Sequence, residues 1–426
     1  AFIHGGGGIG QLEDYHGNHH MDATWEHNGV HEESEGFSSD VLFGRAASFI
    51  EMNREKSFFC FLSTPATHTP YEAEPKAMGR LQKRGVDASS ADLKLYSMIE
   101  NIDENVGDLM DRLDTLDLRD NTIVIFATDQ GMNDRGASDQ RFEGQRPAHP
   151  VSYDEKHAVT CMMRYPPLTV AGKNETLTGM VDLMPTILDL CRVPRPPSLD
   201  GRSLRPLLAG ATQWEDDRTL IVQCPRGRLR KRWDNAAVKT QRWRLLGGNL
   251  LYDIKADPNQ AINVADKFPQ VVSDLSTDYM AFWDSLPHTD TLLSRHVIGA
   301  AKSPKTRLNG MDWYRGGSPW HQLHLKRQRQ NGVWAVTVAR SGRYRFELRW
   351  YPREAPTPIG AIGASVRVGK QYAYVDVAPE APKVILELEL EQGDYDMETT
   401  FKLPPESQDE RSWGAYFVHV DFIGKE

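Results

Sequence analysis

Two polar positions follow strand-like runs in the first half of the chain, and both carry residue types that do chemistry. Asp129 and Gln130 come directly after the apolar run NTIVIFAT, and His68 follows SFFCFLS by a few residues. Carboxylate and amide oxygens are hard ligands suited to Ca²⁺ or Mg²⁺. Histidine donates a proton to a leaving oxygen near neutral pH. The sequence therefore predicts a divalent-metal position at Asp129 and Gln130 and an acid–base position at His68.

Both positions also have a plainer structural alternative. Asp129-Gln130-Gly131 has the composition of a turn or a helix cap, and a single histidine is more often structural than catalytic. Ligands of open parallel sheets, however, bind beyond the carboxyl ends of the strands. Two polar positions at the ends of neighbouring strands support each other, so we expect them at one edge of the same sheet.

The glycine run near the first residue matches two motifs in its residues but not in its surrounding sequence. Gly5, Gly7 and Gly10 match the dinucleotide fingerprint G-x-G-x-x-G, and residues 4–7 match the H-G-G-G oxyanion loop of esterases. The next ten residues have no helical apolar spacing, and no G-x-S-x-G nucleophile motif occurs in the sequence. Because neither motif has its context, we interpret the run as a tight loop with positive φ angles.

Two charged or metal-binding clusters each have a chemical and a plain interpretation. The early chain contains five histidines, which either bind zinc or line a polar rim: His16, His19, His20, His27 and His31. The basic run at 225–233 either contacts an anionic sugar chain or forms a solvated face, together with Lys239, Arg242 and Arg244.

The composition limits the classes of partner. The 426 residues contain 50 Lys and Arg against 59 Asp and Glu, a formal net charge of −9, which argues against a general nucleic-acid-binding protein. No apolar run has the length of a membrane span, and no signal peptide is visible. Cys60 and Cys161 lie in apolar strand-like runs, which predicts buried thiols.

Helix-like and strand-like segments alternate through the first 190 residues. Residues 38–55 and 91–116 have the apolar spacing of amphipathic helices, and VDLMPTILDLC predicts a shorter one. SFFCFLS, NTIVIFATDQG and HAVTCMMRYPP are apolar runs typical of strands buried on both faces. This alternation predicts an α/β fold with a mostly parallel sheet flanked by helices.

The pattern changes from about residue 215, and four regions follow from it. An α/β core over 1–214 precedes a small α+β subdomain over 215–290, which has short strand-like runs and a helix at 268–287. Residues 291–330, rich in Gly, Pro and Trp, predict a linker. Period-two runs such as GRYRFELRW and KVILELELE predict a C-terminal β-sandwich over 331–426.

Seven segments, in order, resemble the type I sulfatases of the alkaline-phosphatase-like superfamily. They are GGGGIGQLEDYHGN, CFLSTPATHTPY, the run that ends in ATDQG, YDEKHAVTCMMRYPP, VDLMPTILDL, DGRSLRPLL and LYDIKADPNQAINVA. The resemblance covers residues 1–285 and implies the alkaline-phosphatase-like α/β fold. The C-terminal β domain is similar to one that follows the core in some bacterial sulfatases.

The resemblance implies roles for individual positions. Asp129 and Gln130 would be two ligands of a Ca²⁺ ion, with Mg²⁺ as the alternative, and His68 would face the leaving-group oxygen. The glycine run would form a loop that flanks the sulfate-ester pocket.

The sulfate-binding lysine of the family has no direct counterpart. Counting back from Tyr153, the matching position is His149, with Lys156 as the alternative. A protonated histidine neutralises a sulfate oxygen with a pH dependence that a lysine does not show.

The family nucleophile is a formylglycine made from Cys or Ser in a [CS]-x-P-x-R motif, and no such motif occurs in this sequence. The family's paired metal-binding aspartates and its Gly-Lys-x-His segment also precede the matching segments. We therefore expect this chain to be the C-terminal portion of a longer sulfatase, inactive alone, with the formylglycine, the first strand and the first helix of the core upstream.

The function implied by the resemblance is sulfuric ester hydrolysis on a sulfated carbohydrate, in the periplasm or outside the cell. One alternative is a phosphate or phosphonate ester hydrolase of the same superfamily, which the nucleophile motif would discriminate. The other is a non-catalytic protein that binds sulfated glycans.

Overall fold

The computed structural model describes residues 2–3, 20–28, 30–68, 71–86, 90–131, 153–154, 158–211, 214, 218–223, 231–286, 293–317, 319, 329–405 and 413–424. The chain divides into two compact units. The first comprises Ala1–Leu116 and Leu293–Glu426, and the second comprises Asp117–Leu292.

The N-terminal part of the first unit contains a small antiparallel sheet and three helices. The sheet order is β1-β2-β3, with β1 at Phe2–Ile3, β2 at Thr24–His27 and β3 at Val30–Glu33. The helices are α1 at Ser38–Met52, α2 at Pro75–Lys83 and α3 at Ser90–Thr115. The predicted helices at 38–55 and 91–116 are thereby confirmed, whereas the period-based analysis did not predict α2.

Specific side chains fix these helices to one another. Glu74 caps α2 by accepting hydrogen bonds from the backbone N–H groups of Lys76 and Ala77, and its own N–H donates to Ser97 Oγ of α3 at 3.2 Å. Asp40 of α1 accepts hydrogen bonds from Asn101 and Asn105 of α3, each at 2.7 Å. These contacts satisfy one helix terminus and hold α3 against both of its neighbours.

The apolar run at 57–63 forms no strand in the part of the chain that the structure describes. Phe59 and Phe61 are 72% and 81% exposed, and Cys60 is exposed as well. No described residue pairs with this run, and a strand exists only where a neighbour takes its backbone hydrogen bonds. The predictions of a doubly buried strand here and of a buried Cys60 are therefore wrong.

The second unit begins with a two-stranded sheet and two short helices. Strands β4 at Val124–Ala127 and β5 at Cys161–Arg164 confirm two of the predicted strands, but they pair antiparallel. Helix α4 at Leu183–Leu190 confirms the predicted short helix, and α5 follows at Arg205–Leu208. The predicted mostly parallel order is not formed among the described strands here, and Cys161 is exposed rather than buried, because no further described strand covers β5.

A buried carboxylate organises the turn before α4. Asp182 accepts two hydrogen bonds from the guanidinium of Arg218, at 2.8 and 2.6 Å, and one each from the N–H groups of Gly179 and Arg202 at 2.8 Å. A Cβ at Gly201 would collide with the carbonyl oxygen of Val181. The Asp-Gly-Arg sequence at 200–202 therefore needs glycine at its centre for this close backbone approach.

The α+β subdomain predicted from residue 215 onward is present in the second unit. Its antiparallel sheet follows chain order, with β6 at Leu220–Gln223, β7 at Ala236–Lys239, β8 at Trp243–Leu246 and β9 at Leu250–Asp253. Helix α6 at Pro269–Ser285 packs Leu275 and Tyr279 on one face of this sheet. The Asp182–Arg218 pair bridges the predicted boundary at 214/215 with buried contacts.

The C-terminal part of the first unit is a β-sandwich of two sheets, as predicted. One sheet has the order β10-β13-β18-β15-β16, and β12 pairs with β13; the other has the order β11-β19-β14-β17. The strands are β10 His296–Ile298, β11 Lys305–Asn309, β12 Arg315–Gly316, β13 Gly332–Val338, β14 Gly342–Arg349, β15 Gly363–Val368, β16 Gln371–Asp376, β17 Val384–Leu390, β18 Gly393–Lys402 and β19 Phe417–Gly424.

The prediction of a linker over 291–330 is wrong for its strand-forming residues. β10 pairs with β13 in parallel, and β11 pairs with β19 along five residues. Trp313 packs edge-on against Trp334 and Tyr416, with ring centroids 5.4 Å apart in each pair. The Gly, Pro and Trp content that indicated a linker instead provides turns and core aromatics for the sandwich.

Candidate functional site

The loop that carries His68 is anchored by its neighbours. The Ala66 side chain is buried with Phe37 and Met98. The Thr64 hydroxyl donates to the Ala66 carbonyl at 3.0 Å, and the His68 N–H donates to the Pro65 carbonyl at 2.8 Å. The His68 side chain itself is exposed at the end of this turn. The local fold therefore presents this imidazole at the surface of the first unit.

Asp129 and Gln130 lie just beyond the carboxyl end of β4, as the sequence predicts. The end of β4 is fixed to the approach to β5 by two hydrogen bonds between Thr128 and Thr160, each 3.0 Å long. Both Asp129 and Gln130 are exposed immediately after this clamp. They belong to the second unit and His68 belongs to the first, so the geometry of each is given separately.

The described residues do not complete a calcium site. Ca²⁺ takes six to eight oxygen ligands, whereas Asp129 and Gln130 supply two side chains. Among the described residues, no group of three or more His, Cys, Asp or Glu side chains is placed to hold a metal ion. These residues therefore do not fit a complete metal site by themselves.

The early histidines separate into distinct environments. His20 is buried, its Nδ1 lies 2.8 Å from Ser38 Oγ, and its ring stacks on Phe37. His27 Nδ1 lies 2.8 Å from a carboxylate oxygen of Glu32. Because it is buried, His20 does not belong to an exposed polar rim. His16 and His19 fall outside the described residues, as do His149, Lys156 and the glycine run.

A cluster that sequence reasoning did not predict holds Asp154, beside the tyrosine of the family motif. The Asp154 carboxylate accepts hydrogen bonds from Lys239 Nζ at 2.6 Å and Arg244 Nε at 2.7 Å. Its N–H donates to Gln260 Oε1 at 2.8 Å, and Tyr153 packs on Tyr252. We call Asp154, Lys239 and Arg244 the Asp154 clamp.

The charged groups of the Asp154 clamp are buried, and burial opposes their ionisation. Burial raises the pKa of Asp154, but the charges of Lys239 and Arg244 outweigh it and hold that pKa below its usual value. Burial lowers the pKa of Lys239, against the opposing effect of Asp154. The only sign of this cluster in the sequence was the Tyr-Asp-Glu segment itself. Lys239 and Arg244 lie 85 and 90 positions from Asp154, and no periodic pattern connects residues so far apart.

The clamp also corrects the interpretation of the basic cluster. Lys239 and Arg244 are each 6% exposed and bound to Asp154, and Arg242 donates two hydrogen bonds to Asp253, at 3.0 and 2.6 Å. Lys239 and Arg244 are therefore internal cations and form neither a sugar-binding nor a solvated surface, whereas Arg242 is half-exposed and held by its ion pair with Asp253. Most of the basic run at 225–233 falls outside the described residues.

Two family models match the part of the chain that contains the β4 edge, Asp129, Gln130 and the α+β subdomain. Residues 6–193 match the model described as Sulfatase, and residues 149–280 match the model described as N-sulphoglucosamine sulphohydrolase, C-terminal. The two matches overlap at residues 149–193, and the chain is therefore similar to sulfatases over residues 6–280.

Individual relatives are similar at moderate identity. The chain is 28% identical over 263 residues to an N-acetylgalactosamine-6-O-sulfatase of Bacteroides thetaiotaomicron, a match that covers 56% of this chain and 49% of that protein. It is 29% identical over 210 residues to the steryl-sulfatase of Homo sapiens, covering 46% of this chain and 32% of that one. The chain thus spans between a third and a half of the length of these relatives.

Solved structures support the fold class. A crystal structure of Ps i-CgsB in complex with k-i-k-neocarrahexaose is similar with a TM-score of 0.52 at 21% identity, covering 62% of this chain and 58% of that one. A putative sulfatase, yidJ, from Bacteroides fragilis has a TM-score of 0.50 at 16% identity and covers 64% of each chain. The α/β sulfatase fold predicted from the sequence is confirmed, although the local pairing of β4 and β5 differs from a parallel order.

None of the helices among the described residues combines the length and apolar character that crossing a bilayer requires.

Proposed function

We propose that the protein is a sulfuric ester hydrolase acting on a sulfated carbohydrate. The observation that carries the proposal is the sulfatase match across residues 6–280, which includes His68, Asp129 and Gln130. A relative named for 6-O-sulfated N-acetylgalactosamine supports a carbohydrate substrate. Bacterial sulfatases are typically periplasmic or secreted, and we propose the same location here.

Three described residues have proposed roles. His68 donates a proton to the departing alcohol oxygen, for which an exposed imidazole on an anchored turn is suited. Asp129 and Gln130 supply two oxygen ligands to a divalent cation. Sulfatases generally use such a cation together with a formylglycine. Because no [CS]-x-P-x-R motif occurs in this sequence, we assign the nucleophile to a segment outside it.

Two further positions extend the proposal toward the substrate. His149 binds a sulfate oxygen, with Lys156 as the alternative. The Asp154 clamp lies a few residues from both in sequence and holds Tyr153 and Asp154 against the α+β subdomain. Its proposed function is to position the backbone of this segment, and it contributes no reacting group.

The direct test is sulfate release by the intact protein from its native coding sequence, with 6-sulfated N-acetylgalactosamine as substrate. We expect His68→Ala to lower kcat by about 10²–10⁴-fold, the usual contribution of a general acid. His296→Ala, which removes a histidine of β10 in the sandwich, is the control and should leave kcat unchanged.

Three outcomes would contradict the proposal. Release of phosphate but no sulfate from matched monoesters would favour the related ester-hydrolase alternative. Binding of sulfated glycans without turnover would favour a non-catalytic protein. Full activity in His68→Ala would remove the proposed acid while leaving the family assignment in place.

A further inference from the structure

Strand β16 is an edge of its sheet, and one of its two sides is unpaired among the described residues. The sheet order is β10-β13-β18-β15-β16, so β15 lies on one side of β16. On the other side, no described strand pairs with β16, because β17 belongs to the other sheet of the sandwich. Unpaired N–H and C=O groups along an edge strand are a template for pairing with another strand.

The hairpin between β15 and β16 determines which backbone groups face outward. Val368 and Gln371 pair across a turn of two residues. The pair that closes such a turn is hydrogen-bonded, and hydrogen-bonded pairs alternate along an antiparallel ladder. The Val377 N–H donates to the Ile362 carbonyl at 3.0 Å, which continues the alternation. The odd-numbered residues of β16 therefore bond to β15, and the backbone groups that point outward belong to the even-numbered residues Tyr372, Tyr374 and Asp376.

This edge lacks the features that protect the other edges of the sandwich. Strand β10 has only three residues. Strands β11 and β17 carry exposed charges, Lys305 and Arg307 on the first and Glu387 and Glu389 on the second. Short length and charged side chains are the usual means by which proteins prevent edge-to-edge pairing. Residues 371–375 of β16 contain neither a charge nor a proline, so this edge is open to a partner strand.

The side chains of β16 are accessible on both faces of the strand. Tyr372 and Tyr374 are 50% and 45% exposed on the outer face, and Val375 is 38% exposed on the inner face. A Cβ at Gly363 would collide with the Tyr374 ring, so this ring lies against the neighbouring strand. The Tyr374 hydroxyl donates to Asp376 at 2.9 Å. The edge is thus both ordered and exposed.

An antiparallel pairing of β16 with the same strand of a second copy has one register in which the charges match. Because the outward backbone groups belong to even-numbered residues, the twofold axis passes through a residue and not between two residues. With the axis at Ala373, Tyr372 lies opposite Tyr374 of the second copy, and Lys370 lies opposite Asp376 of the second copy. No other position of the axis brings Lys370 opposite Asp376. The strand is therefore complementary in charge to itself in this register.

We propose that β16 pairs antiparallel with β16 of a second copy and forms a twofold-symmetric dimer. Tyr372 exchanges two backbone hydrogen bonds with Tyr374 of the second copy. Lys370 and Asp376, both exposed and outside any ion pair in the described part of the chain, pair across the axis. The same patch serves both copies, so the assembly closes at the dimer. One strand from each copy is a small interface, so the dimer forms reversibly with concentration.

The test is sedimentation velocity of residues 1–426 over a wide range of protein concentration. We expect monomers at low concentration and dimers at high concentration. Tyr372→Pro removes an outward N–H but no ladder bond to β15, and it should abolish the dimer.

Charge reversal tests the register. Lys370→Glu and Asp376→Lys each place like charges opposite one another and should weaken dimerisation by about five- to tenfold, whereas the two together should restore it.

Two variants serve as controls. Lys305→Glu makes the same charge reversal on β11, an edge strand of the other sheet, and should leave dimerisation unchanged. Phe59→Ser with Phe61→Ser removes exposed apolar side chains that are a separate source of self-association, and it should also leave the dimer intact. Thermal unfolding of every variant separates loss of pairing from loss of fold.

Four results would overturn the inference. The first is a monomer at every concentration, and the second is a dimer that Tyr372→Pro leaves intact. The third is a dimer that is lost when Phe59 and Phe61 are replaced, which would assign self-association to the run at 57–63. The fourth is failure of the double charge reversal to restore the dimer, which would reject the register centred on Ala373.

Discussion

One ion pair in the second unit, between Asp182 and Arg218, is almost completely buried. The Asp182 carboxylate is fully buried, and the Arg218 side chain that binds it is only 7% exposed. Two backbone N–H groups complete the coordination of the carboxylate. Removal of one partner of such a pair leaves an uncompensated charge in a medium that solvates it poorly.

We predict that Arg218→Met destabilises the protein by about 3–5 kcal/mol in urea unfolding, because Asp182 loses its counter-charge. Arg205→Met is the matched control. Arg205 binds Asp189 at 3.3 Å, with the two side chains 53% and 37% exposed, and its loss should cost about 0–1 kcal/mol. Similar costs for the two variants would contradict the importance of burial.

At the scale of elements, a row of charged residues crosses the outer face of three sandwich strands. Arg307 of β11, His419 of β19 and Glu347 of β14 are directly paired in register. Arg349 and Arg353 both bind Glu347, and Glu354 and Asp421 lie nearby. This row sets the response of the sandwich to acid.

Both titratable groups in the row destabilise the fold on acidification. Burial and the charge of Arg353 lower the pKa of His419 to about 4, below its ordinary value of 6.5. Burial raises the pKa of Glu347, but Arg353 and Arg349 outweigh it and lower that pKa to about 2. The unfolded chain therefore binds these protons first, and the stability that each group contributes at neutral pH is lost as the pH falls toward its folded pKa.

We predict that the thermal midpoint of the sandwich falls between pH 6.5 and 4, and that His419→Gln flattens this part of the profile. A change of 1 kcal/mol corresponds to about 4–8 °C in a domain of this size. A slope in His419→Gln equal to that of the unaltered chain would contradict the assignment.

The elements predicted best are those whose signal is local. Helices α1, α3 and α6 begin and end within three residues of the predicted limits, because the apolar spacing that predicts them lies within each helix. Strands β15 and β18 were missed because their polar faces weaken the alternation, although they occupy central positions in the sheet. The strand prediction at 57–63 was wrong for the opposite reason. Its apolar residues favour burial, but they do not specify which strand would pair with them.

In the candidate site as well, features with a local signal were predicted and features that depend on long-range packing were not. The positions of Asp129 and Gln130 after a strand were predictable, since a strand end is local. The Asp154 clamp was not, because it depends on packing between segments far apart in sequence. The assignment of His68 came from its place after a predicted strand together with the family resemblance, and that of His149 came from the resemblance alone; both stay predictions.

At the scale of the whole molecule, the exposed apolar run at 57–63 is a liability of the isolated chain. Phe59 and Phe61 are both highly exposed and lie two residues apart, and exposed apolar surface of this kind marks an interaction site or an aggregation risk in proteins. We predict that residues 1–426 alone bind the dye ANS, and that Phe59→Ser with Phe61→Ser lowers the fluorescence severalfold. Met52→Ser, at an exposed but solitary apolar position, should have no effect. Absence of dye binding would contradict the exposure of this run.

The pairing of β11 with β19 has a consequence for how the sandwich is made. Asn309 pairs with Phe417, so this contact joins residues that are about 110 positions apart, and β19 also fills the space between β11 and β14. Contacts of such high sequence separation slow folding, and sandwiches dominated by them fold in milliseconds to seconds. During synthesis, the second sheet stays open until the last strand leaves the ribosome. The edges of β11 and β14 are meanwhile available to other chains, so the eight residues of β19 close the sandwich and also end its most aggregation-prone interval.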